Sequence, residues 1–94
     1  MNRAFLKILV AKPGILRWTP SSYGQMVENA VVGGLTENGE SLYIGRAPKY
    51  QYGRIKTLVP GKIQPSKKIM SFPWGAHEHK NHEYSILVRI FVYF

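Results

Sequence analysis

The chain has 94 residues, a formal net charge of +8, no cysteine and no aspartate. That length allows one domain with a small core. The composition excludes a disulfide framework, a thiolate metal site and a cysteine nucleophile, and 45% hydrophobic residues exclude a disordered chain.

Residues 1–17 read as an N-terminal strand and extension. The apolar run in "MNRAFLKILVAKPGIL" is broken by Lys7 and Lys12 and lacks a small-x-small cleavage site, so it predicts a strand near 4–10 rather than a signal peptide. That favours a cytoplasmic location over secretion. No run approaches the roughly 20 apolar residues of a membrane-spanning helix.

Helical periodicity is nearly absent. Nine glycines, six prolines and many aromatics point to short strands and frequent turns. Further strands are expected near 28–34, 41–46, 54–59, 68–73 and 84–92. Turn signals separate them at "KPG" 12–14, "ENGE" 37–40, "VPGK" 59–62 and "PWGA" 73–76. Asn38-Gly39 between two apolar runs predicts a hairpin with a type I′ turn. Gly33-Gly34 late in its first strand predicts a bulge or a close approach of another group. The C-terminal "YSILVRIFVYF" carries a single charge, Arg89, and must be buried in this chain or a second one. The expected class is all-β: a small antiparallel sheet or sandwich.

The basic charge is concentrated. Between Glu40 and Glu78 there is no acid, whereas Arg46, Lys49, Arg54, Lys56, Lys62, Lys67 and Lys68 all lie there. Such a stretch is either a solvated face or a surface for anionic partners such as nucleic acid, phosphoinositides or sulfated glycans. "GAHEHKNHEY", residues 75–84, gathers all three histidines. On a strand, His77 and His79 share one face, as metal ligands would, and His82 could join them after a turn. The H-E-x-x-H pattern fails because Asn81 stands at its second histidine position, and no helix is expected there. The stretch reads as solvated, with no metal or other cofactor expected. No enzyme constellation emerges: Ser21, Ser22, Ser41 and Ser66 lack a nucleophile-elbow context, and the carboxylates are not arranged as a glycosidase pair.

Five motifs in order, "ENAVVGG", "GESLYIGRA", "PGKIQPS", "PWGAHEH" and "EYSILV", resemble the DM-nine repeat of small all-β proteins. The resemblance runs from Trp18 to about Val88, so residues 18–94 read as a single such repeat. It implies a mannose-binding lectin of innate immune recognition. The same repeat occurs in natterin-like proteins. It also implies a repeat completed by a second copy, in a homodimer or through a tandem-repeat partner. Within that pattern the sugar is held by the lysine of P-G-K and an acidic residue after the glycine pair. Lys62 matches the lysine. The acidic position falls on Thr36, followed by Glu37 and Asn38. Arg46, Glu78 and His79 are secondary candidates, with Arg46 expected to pair with Glu78 or Glu40. Tyr43, Trp18 and Trp74 suit either a sugar platform or the core, and the core is favoured. About five extra residues within "KYQYGRIKTL" lengthen the segment before P-G-K. The leading expectation is a non-catalytic carbohydrate-binding module. The alternatives are a basic module for anionic partners and a structural oligomerisation unit.

Overall fold

The computed structural model describes residues 15–90. The expected strand near 4–10 and the turn at 12–14 lie outside them, as do residues 91–94. The chain is all-β. Its strands, β1 (Ile15–Ser22), β2 (Val32–Leu35), β3 (Ser41–Gln51), β4 (Arg54–Gln64), β5 (Ile69–Trp74), β6 (His77–Asn81) and β7 (Glu83–Ile90), form one seven-stranded sheet in the order β1-β7-β3-β4-β5-β6, with β2 also on β3. Every pairing is antiparallel.

The core follows the period-two rule of strands. Met70 and Phe72 alternate on β5, and Tyr84, Ile86 and Val88 alternate on β7; all are buried with Ala47, Val59 and Ile63. His82 alone connects β6 to β7, although these strands lie far apart in sheet order. The sheet must therefore curl, and its concave side closes over the buried residues. Tyr23 N–H donates to the His82 carbonyl at 2.8 Å, and Gly24 N–H donates to the Tyr84 hydroxyl at 2.8 Å, which fastens the end of β1 to this corner.

β3 shares one edge between two partners. β2 takes Ser41–Tyr43 and β7 takes Gly45 and Arg46. The expected β2–β3 hairpin forms, and the glycine pair carries the expected irregularity, a register shift between Val32 and Gly34. Its turn differs from the expectation. Thr36 N–H donates to Glu40 O and Gly39 N–H donates to Thr36 O, both at 2.9 Å, and Gly39 has φ 83° whereas Asn38 is not left-handed. This is a three-residue loop ending in a bulge glycine. The type I′ turn lies instead at Tyr52-Gly53, with φ 53° and 75°, between the paired Gln51 and Arg54.

"VPGK" is not a turn. Pro60-Gly61 lies inside β4, opposite Arg46 and Gly45. Glycine is required there because a Cβ on Gly61 would collide with the Ser71 carbonyl oxygen and lie 2.9 Å from Phe72 Cβ. Pro60 is tolerated because β5 pairs β4 only at Lys62–Gln64, so no ladder bond is lost. The apparent turn residues thus serve close strand packing. The lengthened segment before them forms the outer part of the β3–β4 hairpin. At "PWGA", Gly75 has φ 63° at the first central position between the paired Trp74 and His77, the II′ arrangement.

β1 and β6 are the strands not anticipated. β1 contains Pro20 and a serine pair, which read as breakers, but it is an edge strand, where proline is compatible. β6, "HEHKN", has no apolar residue to signal a strand; pairing with β5 defines it.

Candidate functional site

Residues paired across an antiparallel ladder share a face. Lys62 pairs with Ile44 on one side and Ser71 on the other, and Ser71 pairs with Lys80. This row lies on the outer face, opposite the buried Ile63 and Met70. Lys62 is exposed, and its ammonium donates to the Gly33 carbonyl at 2.6 Å. The glycine pair makes this possible. A Cβ on Gly33 would fall 2.6 Å from Ile44 Cγ1, and one on Gly34 would fall 3.0 Å from Lys62 Nζ.

The hairpin loop builds a second polar group. Thr36 Oγ1 accepts from Glu40 N–H at 3.0 Å, so the threonine acts first in the turn. Glu40 then reaches across to β4 and the 3₁₀ turn Pro65–Lys67. Gln64 Nε2 donates to Glu40 Oε1 at 3.0 Å, Ser66 Oγ to the same oxygen at 2.8 Å, and Ser66 N–H to Oε2 at 2.9 Å. The Gln64 bond, then the two Ser66 bonds and the Lys67 charge, hold the Glu40 carboxyl below its ordinary range. Gln64 and Lys62 are two apart on β4 and share a face. Glu37 and Asn38 stand exposed at the loop tip.

The site residues expected from sequence are thus only partly assembled. Lys62 meets the glycine pair, whereas Thr36 is bonded to Glu40, and the Gln64 that holds the Glu40 carboxylate only shares the Lys62 face of β4. Glu40, Gln64 and Ser66 were not anticipated as a cluster. The "PGKIQPS" motif that contains Gln64 and Ser66 was the available signal.

Arg46 does not pair with Glu78 or Glu40. Its guanidinium lies over the Trp18 ring, 4.5 Å from the centroid, because β7 brings β1 within reach of β3, whereas the Glu40 oxygens are held by Gln64 and Ser66. Glu78 is exposed, on the face of β6 that carries Lys80. His79 pairs with Phe72 and stacks on it, ring centroids 5.5 Å apart, and His77 pairs with Trp74. His77 and His79 therefore share a face, and it is the one opposite Lys62. His82 does not join them. It stacks on Tyr23 at 4.8 Å, with Nδ1 3.1 Å from the Lys68 carbonyl oxygen. Among the described residues, no cluster of three or more His, Cys, Asp or Glu could hold a metal ion. Tyr43 and Trp74 pack partly against the core, and Lys49 lies over Trp74 at 5.9 Å.

A family model described as the DM9 repeat matches residues 2–55. The matched span includes β1, β2, β3 and Glu40, and ends before Lys62. No curated protein matches the chain.

Proposed function

Because the chain belongs to the DM9 repeat family, we propose that it is a non-catalytic, lectin-like carbohydrate-binding module that takes mannose-type glycans and serves innate recognition of surfaces bearing them. The observation that carries this reading is the placement of Lys62. Its ammonium rises from a strand rather than a mobile loop, and the 2.6 Å bond to Gly33 O fixes its direction. One of the three donors of an ammonium is used there, and the others suit vicinal hydroxyls. Beside it Gly34 carries no side chain of its own, and the nearest other side chain, Leu42, lies 3.8 Å from where a Cβ would stand, so a pyranose can approach the ammonium past the backbone. Thr36 stands where the family pattern has an acid, and the exposed Glu37 supplies the carboxylate acceptor.

Such a surface is open and polar, so affinity per site is weak, and a second copy of the chain, or a tandem-repeat partner, supplies useful avidity. Retention on immobilised mannan tests the reading. Wild type is retained and released by millimolar mannose, while Lys62→Ala passes through although its thermal melt remains cooperative. Wild-type protein that ignores mannan, mannose and glucose alike overturns it.

The acid-free run favours a second reading, binding to anionic partners. Counterion release makes such binding fall steeply with salt, whereas recognition of neutral hydroxyls is nearly insensitive to it.

A further inference from the structure

β3 and β4 run past the rest of the sheet. β7 reaches β3 only at Gly45 and Arg46, and β5 reaches β4 only at Lys62–Gln64. Residues 48–58 form a two-stranded arm with no ladder partner on either outer edge among the described residues. At about 3.3 Å per residue, the arm extends about 13 Å from Pro48 to Tyr52.

The two faces of the arm differ. Ala47 and Val59 pair at its root and are buried, and their face continues outward as the polar pair Lys49 and Thr57. The opposite face carries Pro48 with Leu58 and, past a bulge, Tyr50 with Ile55. Leu58 is 47% exposed, Tyr50 56%, Ile55 59%, and Tyr52 at the tip 94%. A two-stranded ribbon is marginal by itself in water, and a contiguous apolar face on one marks an interaction surface.

The charges on the arm select the partner. Lys49, Arg54 and Lys56 lie on the other side of the arm from the apolar face, Lys49 and Lys56 lining a hollow with Trp74. A partner that meets both sides must therefore take the arm end-on, and no acid occurs between Glu40 and Glu78. At the root, Pro48, Tyr50 and Leu58 line, with Arg46 and the acid Glu83, the cleft of about 330 Å³ that opens where β3 leaves β7, so the inner part of the apolar face looks toward the body and its outer part, at Ile55 and Tyr52, is free. A second copy of the arm would set like charges against each other. A single-stranded nucleic acid would engage the cations and tyrosines but leave Ile55 and Leu58 unused. A bilayer with anionic headgroups uses every group present: phosphates and carboxylates for the cations, the interface for the tyrosines, and the acyl boundary for the aliphatic side chains. We infer that the β3–β4 arm docks the protein on anionic lipid bilayers tip first, with Tyr52 leading, Ile55 and Leu58 entering the headgroup layer on one side and Lys49, Arg54 and Lys56 meeting the phosphates and carboxylates on the other.

Co-sedimentation of the full chain with vesicles tests this without any sugar ligand. The protein binds vesicles of equal parts phosphatidylcholine and phosphatidylserine and not phosphatidylcholine alone. Ile55→Ser with Leu58→Ser, and separately Arg54→Gln with Lys56→Gln, each weaken binding about tenfold or more, and both variants keep the wild-type thermal melt because the arm lies outside the core. Lys67→Gln with Lys68→Gln, away from the arm, changes binding little. The inference is overturned if the Ile55/Leu58 variant binds mixed vesicles as wild type does, or if the Lys67/Lys68 variant loses as much as the arm variants. It is also overturned if wild type binds a single-stranded RNA oligonucleotide but no vesicle.

Discussion

Lys62 on β4 donates to the carbonyl of Gly33 on β2 at 2.6 Å, although the two strands do not pair with each other. The side chain passes over β3 and ties its two flanking strands together. Lys62 is therefore part of the fold as well as the candidate sugar donor, and variants must separate the two roles.

The glycine pair separates them. Gly34→Ala places a methyl 3.0 Å from Lys62 Nζ, the far end of a flexible chain. Stability should change by less than about 1 kcal/mol, while mannan retention falls because the ammonium is displaced. Gly33→Ala meets Ile44 Cγ1 at 2.6 Å and should destabilise by about 1–3 kcal/mol. Thermal melts and mannan chromatography on both variants check the contrast. Equal melts would mean that Ile44 yields easily.

Glu40 sets an acid limit on the loop. Its carboxyl is held below the ordinary range in the folded state, chiefly by Gln64 and then Ser66. A lowered folded pKa gives stability that is complete above the unfolded value, about 4.3, and is lost as pH falls through the lowered folded value. Melting temperature followed from pH 6 downward should fall more steeply for wild type than for Glu40→Gln, which should already be weakened at neutral pH. Parallel curves would show that the clasp contributes nothing.

Met70 is fully buried beside Ile63 and the Gly45 backbone. Met70→Ala should cost about 2–5 kcal/mol. Against a total of about 5–14 kcal/mol for a chain of this size, that is a large share, and the urea midpoint should drop accordingly. A shift below about 1 kcal/mol would mean the core repacks around the gap.

The Tyr84 hydroxyl accepts from Gly24 N–H, joining β7 to the turn after β1. Tyr84→Phe leaves that donor without its partner and should cost about 1–2 kcal/mol. Hydrogen exchange at the Gly24 amide should accelerate; unchanged exchange would place the protection elsewhere.

Tyr52 holds φ 53° in the type I′ turn, a conformation that asparagine adopts more readily. Tyr52→Asn should raise stability by about 0.5 kcal/mol, read as a higher melting temperature, while removing the leading aromatic of the arm. A lower melting temperature would show that Tyr52 contacts matter more than its backbone.

Local chemistry made much of the architecture legible. Asn38-Gly39 marked the β2–β3 hairpin, the paired glycines marked its irregularity, and the apolar run "YSILVRIFVYF" marked β7. Tertiary context hid the rest. Pro60-Gly61 carries the residues of a turn yet serves the close packing of β4 on β5. Tyr52-Gly53 makes the type I′ turn although tyrosine seldom does. Arg46 met Trp18 rather than a carboxylate because no local pattern reveals that β7 lies between their strands. Lys62 was legible through the motif that carries it. Its bond to Gly33 was not, since the two are joined only once β3 has been threaded between them.

The pairing of Ile15 with Ile90 bears on how the chain assembles in time. Of the described strands β1 precedes all the others and β7 follows them, so β1 must wait for its partner until every strand between them has been made. Topologies dominated by such distant pairings fold slowly. The β3–β4 and β5–β6 hairpins close over short turns and can form early, leaving the β3 edge at Gly45 and Arg46 open until β7 arrives. Stopped-flow fluorescence should show a late phase slowed by substitutions at Ile86 and little affected at Gly53. The reverse order would place the slow step in the arm.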